Sequence, residues 1–177
     1  GEFNGKNHLI KNYNLSSEEE YVGIFGYTIE ADIKNLIVEN ASIYGIDSYG
    51  TGGIVGCAFR GSINNCTFSG QVCSTVGSVG GIAGSSRASL SECTVSGKIS
   101  DGCGGSSYFP DGIKIIFGTG GIVGDNEDTL YKCINNANVY PKGGGIAGCN
   151  QGIIASCVNY GNAYGGISVS TTSSSWM

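Results

Sequence analysis

The densest run of hard oxygen ligands in the chain is Asp125-Asn126-Glu127-Asp128, three carboxylates and an amide within four residues. Oxygens of this kind suit calcium, so these four are the candidate metal ligands, although they lack the spacing of an EF-hand loop. No other cofactor is expected. Eight cysteines form the second set, and no two stand in the C-x2-C spacing that zinc sites favour. Cys66, Cys93, Cys133 and Cys157 recur at one place in a repeating pattern, which points to small buried hydrophobes. Cys73 and Cys103 lie near corners and are candidates for a disulfide, which an oxidising compartment would favour. His8 is the single histidine, with no nucleophile motif beside it and no H-E-x-x-H anywhere. The acids Asp32, Asp47, Glu92, Asp101 and Asp111 are scattered, so no pair is placed for general acid–base work and no catalytic residue is expected. Aromatic residues are the better binding signal. Tyr108 and Phe109, in a long insertion, are the candidate ligand-binding residues, and Tyr44, Tyr49, Tyr140, Tyr160 and Tyr164 lie near other corners.

What must position these residues is a repeat. Gly23-Ile-Phe-Gly26, Gly53-Ile-Val-Gly56, Gly81-Ile-Ala-Gly84, Gly121-Ile-Val-Gly124 and Gly145-Ile-Ala-Gly148 share one pattern, and Gly166-Ile167 starts a sixth. The intervals are 30, 28, 40, 24 and 21 residues. A second block follows each motif: Ile33-Lys-Asn-Leu36, Ile63-Asn-Asn-Cys66, Leu90-Ser-Glu-Cys93, Leu130-Tyr-Lys-Cys133 and Ile154-Ala-Ser-Cys157. Leu9 to Tyr13 looks like half of a preceding unit. The blocks are short, bounded by Gly, Asn and Ser, and show no helical period. Simple alternation would put Ile63, Asn65 and Thr67 on one face and Asn64, Cys66 and Phe68 on the other. Stacked repeats would place Ile24, Ile54, Ile82, Ile122 and Ile146 in one inward column and Leu36 with the four cysteines in another. Glycines would serve positive-φ corners and close backbone approach. The fold class expected is all-β: a right-handed parallel β-helix of about six coils of 20–30 residues, spanning 1–167, with an inserted loop at 101–119 after the third full repeat. Residues 168–177 read as a polar tail or linker of an excised domain.

The composition agrees with a folded, low-charge rod. Glycine supplies 32 of 177 residues and proline only 2, while charged residues make up 13%. A net charge of −5 argues against nucleic acid as a partner. No apolar run is long enough to cross a bilayer as a helix.

Gly53-Gly-Ile-Val-Gly56 with Ile63-Asn-Asn-Cys66, and their counterparts, resemble the GLUG repeat, and Phe3 to Ile10 is similar to the segment that leads into such arrays. The resemblance implies a bacterial β-helix that is secreted or on the cell surface, often within adhesin-like proteins. Similar repeats accompany immunoglobulin-A-cleaving metalloproteases. No catalytic residues are shared across the family. The expected function is a non-catalytic, extracellular, adhesin-like stalk or binding module of a larger protein. Its partners would be a host or matrix protein or glycan, flanking domains, and other copies through end-to-end self-association. The alternative is a carbohydrate-active β-helix that binds or cleaves polysaccharide.

Overall fold

A computed structural model describes residues 1–101 and 117–171. The described residues are all-β, with parallel strands in three sheets of ten, four and eight strands. The chain visits these sheets in one order: Gly50–Gly52 lies in the four-stranded sheet, Val55–Asn64 in the ten-stranded and Thr67–Ser74 in the eight-stranded. Each strand then pairs with its equivalent one repeat away. Val55 faces Ala83, then Val123 and Ala147. Thr67 faces Thr94, then Ile134 and Val158.

This register stacks like on like. Ile54, Ile82, Ile122 and Ile146 are fully buried. Their backbones bond in succession, Ile54 N to Ile82 O at 3.0 Å, Ile82 N to Ile122 O at 2.8 Å and Ile122 N to Ile146 O at 2.9 Å. Each such side chain contributes roughly 1.5–3 kcal/mol by leaving water. Ile24, at the end of the column, is only partly buried.

Leu36, Cys66, Cys93 and Cys133 form the second buried column, with Cys157 half-buried at its end. Simple alternation fails here. Ile63, Cys66 and Phe68 all point into the core, because Asn65 between them has φ +50° and turns a corner. Asn35, Glu92, Lys132 and Ser156 occupy the same corner in other repeats with φ of 52–56°. Only the asparagines suit this left-handed backbone, which costs other residues about 1–2 kcal/mol each. The stack offsets that cost: Asn65 N bonds Ser91 O, and Glu92 N bonds Tyr131 O. The corner also turns a carbonyl inward, and the cysteine two residues on meets it. The Sγ of Cys66 donates to Asn64 O and that of Cys93 to Ser91 O, both at 3.3 Å. A small apolar residue with a weak donor meets that carbonyl, although Leu36 fills the same place in the first repeat without one.

The glycines of the five complete motifs do not take positive φ; among the described glycines that role falls to Gly61, Gly70, Gly77 and Gly97, and to Gly166, which opens the incomplete sixth motif. Gly53, Gly81, Gly121 and Gly145 are there for close approach instead. A Cβ on them would collide with Phe68, Val95, Asn135 and Asn159 respectively, across the core. The long insertion leaves the ladder intact, since Val79 pairs with Thr119 directly beyond it. Ser168–Thr171, placed in a tail by its polar composition, is a strand paired with Ala147–Asn150. Its backbone pairs along the edge of that strand, a role that does not depend on apolar side chains.

Candidate binding groove

The residue directly after each motif's closing glycine points outward from the ten-stranded sheet. Register places these residues in one row, Tyr27, Cys57, Ser85, Asp125 and Cys149. Beside the row, where the four-stranded sheet meets the ten-stranded one, stand Tyr21 and Tyr49; on its other side stand Phe59, Arg87 and Glu127. All of these except the buried Cys149 line a groove of about 250 Å³ that Phe117 also borders.

One end of the groove is aromatic. The Tyr21 ring lies 5.2 Å from that of Tyr27 and 6.4 Å from that of Tyr49, tilted 42° and 53°. Tyr27 is 47% and Tyr49 42% exposed. The other end is charged. Arg87 Nε bonds Glu127 Oε2 at 2.6 Å, and its guanidinium sits 5.6 Å from the centre of the Phe59 ring. Asp125 stands in the row beside this pair. Burial, and then the Glu127 carboxylate, push its carboxyl above the ordinary value, with Arg87 pulling the other way. Its Oδ1 is buried without a protein partner. Burial also raises the Cys57 thiol, against the pull of Arg87 and a hydrogen bond with Ser85. A second concavity of about 380 Å³ includes Asn12, Asn40, Gln71 and Lys98 but has no aromatic lining.

The four candidate calcium ligands face different ways. Asp125 looks into the groove and Glu127 is held by Arg87. Asn126 is buried, its amide donating to Asn150 Oδ1 at 2.7 Å and to Asp128 O at 2.9 Å. Asp128 is exposed, and its carboxylate accepts from Thr129 N at 2.6 Å. Among the described residues no group of three or more His, Cys, Asp or Glu side chains is placed to hold a metal ion. Tyr108 and Phe109 lie outside the described residues.

Cys73 is disulfide-bonded, while Cys57, Cys66, Cys93, Cys133, Cys149 and Cys157 are free thiols; Cys103 lies outside the described residues. Hydrogen bonding with Cys133 and Cys66, and then burial, keep the Cys93 thiol protonated. His8 is exposed. Of the corner tyrosines only Tyr49 belongs to the groove. Tyr140 and Tyr164 pair with each other 6.3 Å apart, and Tyr160 stands alone at 73% exposure.

Sequence reasoning passed over Tyr21, Tyr27, Phe59 and Arg87. Its one usable signal was the variable residue after each closing glycine, amid glycines and isoleucines that do not vary.

Residues 47–72 match the model of the GLUG motif, so the chain carries a GLUG repeat there. The structure is similar to the crystal structure of "a putative immunoglobulin A1 protease from Bacteroides ovatus", with a TM-score of 0.64 and 22% identity. That likeness covers 88% of this chain and 58% of the other, so the chain spans little more than half of its structural relative. At this identity the likeness speaks for the fold alone. No curated protein sequence matches the chain.

Proposed function

We propose that this GLUG-repeat chain is a non-catalytic, extracellular binding module, adhesin-like, within a larger bacterial surface or secreted protein. Its backbone is a right-handed parallel β-helix of about six coils, a rod roughly 30 Å long at ~4.8 Å per coil. A glycan or a host or matrix protein binds its side, and flanking domains or other copies meet its ends. The observation that carries this is the outward row from Tyr27 to Asp125, where residues vary while the columns beneath them repeat. A rigid scaffold bearing a variable, aromatic-rich surface is what recognition requires. The disulfide at Cys73 supports an oxidising location.

A second reading, carbohydrate cleavage, draws on one observation. Asp125 and Glu127 share the groove, one with a raised carboxyl and the other tied to a cation, a contrast that glycosidases exploit. Against it, the Arg87 ion pair leaves Glu127 without a free role as base or nucleophile.

One experiment separates the two. The chain is incubated with an array of glycans and matrix proteins, and the recovered ligand is weighed by mass spectrometry. Retention of intact ligand is the expected result. Shortened glycan products favour the second reading, and no retention at all overturns the binding module.

A further inference from the structure

We propose that the groove beside the ten-stranded sheet is a subsite for an uncharged oligosaccharide of two or three sugar units lying along the rod. The proposal rests on the binding-module reading above and names the ligand class for it.

The length follows from register. Tyr27 and Asp125 are three rungs apart in one row, through Cys57 and Ser85. At ~4.8 Å per rung the aromatic end and the Asp125 carboxylate are about 14 Å apart. One pyranose cannot touch both, whereas two or three in a line can. The aromatic end suits a sugar ring. Tyr21, Tyr27 and Tyr49 are packed against one another at 5.2 and 6.4 Å, so they offer neighbouring faces as a platform and do not form a box around a cation. A pyranose lays its C–H face on such rings, while the phenol oxygens reach its hydroxyls.

The charged end decides against ionic ligands. A uronic acid or sulfated sugar would meet Asp125 and Glu127. A basic peptide would meet the Arg87 guanidinium, and Glu127, its best counter-charge in the groove, is already taken at 2.6 Å. A neutral polyol tolerates both signs. Its hydroxyls can also donate to the Asp125 side chain where that residue lines the groove.

The test uses the whole chain. Neutral oligosaccharides of the gluco-, galacto-, manno- and N-acetylglucosamine series are arrayed beside uronic-acid and sulfated glycans and a polylysine peptide. Hits are measured by calorimetry against monosaccharide, disaccharide and trisaccharide. The expected result is binding of a neutral glycan that strengthens from one unit to three. Tyr27→Ala and Asp125→Asn should each weaken it about tenfold, and Tyr160→Ala should leave it unchanged. Circular dichroism checks that each variant keeps its β-sheet.

Binding confined to charged ligands, or no neutral hit, overturns the proposal. A neutral hit unaffected by both groove variants also overturns it, yet leaves the binding-module reading standing. Cleavage of the glycan sinks that underlying reading first.

Discussion

At the position after the cysteine column, the earlier repeats place Val38, Phe68 and Val95, and the later repeats place Asn135 and Asn159. In the ten-stranded sheet the change comes sooner: Ala58 gives way to Ser86, whose hydroxyl already bonds Ala88 N and O, and then to Asn126 and Asn150. The earlier repeats gain burial energy from long strands: Val55–Asn64 and Thr67–Ser74 run unbroken. The later ones use the side-chain amide to turn a corner. Asn135 donates to Ala137 O at 3.0 Å and accepts from Ala137 N at 2.9 Å, while its amide also reaches Asn159 Oδ1 at 2.8 Å. Asn126 and Asn150 each donate in the same way to the carbonyl two residues on. The corner divides the strand into Ile134–Asn135 and Asn138–Tyr140. A stacked amide ladder replaces apolar burial with hydrogen bonds, each a modest net gain but costly to leave unmade. The earlier and later repeats therefore share a backbone register and differ in what holds it.

Four variants would break or sharpen this contrast. Ile82→Asp puts an unpaired charge into the column common to both halves, and should abolish the β-sheet circular dichroism signal. A native spectrum from that variant would refute the register. Phe68→Ala removes the largest buried side chain of the apolar half, with an expected loss of about 3–5 kcal/mol in denaturant unfolding. Asn135→Ala leaves Ala137 N and Asn159 Oδ1 without their partner, for about 1–3 kcal/mol. Equal losses from these two variants would erase the distinction between the halves.

The smallest effect belongs to Asp125. Its folded carboxyl holds a proton more tightly than the unfolded one, so ionising it works against the fold. That cost is absent below the ordinary carboxylate range. It grows as pH rises between the ordinary and the raised value, and stays constant above. Asp125→Asn should thus raise Tm slightly at about pH 7 and leave it unchanged at about pH 3. A Tm gain that persists in acid would mean that packing, and not charge, is responsible.

The inward columns were legible in the sequence because Ile recurs inside each glycine motif and Cys, after four of them, nine or ten residues past the closing glycine. The corner at Asn65 was not, since a single left-handed residue shifts the alternation and Glu92 or Lys132 in that place carries no turn signature. The amide ladders were hidden for the opposite reason. Asn126 and Asn135 are polar, and only the fold reveals the partners, two residues on and in the neighbouring repeat, that let them be buried. The groove has a similar cause. Tyr21, Tyr49 and Arg87 come from three different repeats, and no local spacing brings them together.

The unbroken pairing of Val79 with Thr119 across the long insertion has a consequence for how such a chain changes over generations. Neighbouring rungs fix their own alignment, so the length of the sequence that links Asp101 to Phe117 does not set their register. Recombination at that junction could change the length of the link without shifting the pairing of the rungs. Gain or loss of a whole unit would move the two ends apart or together by one step, while the surface on each remaining rung kept its address.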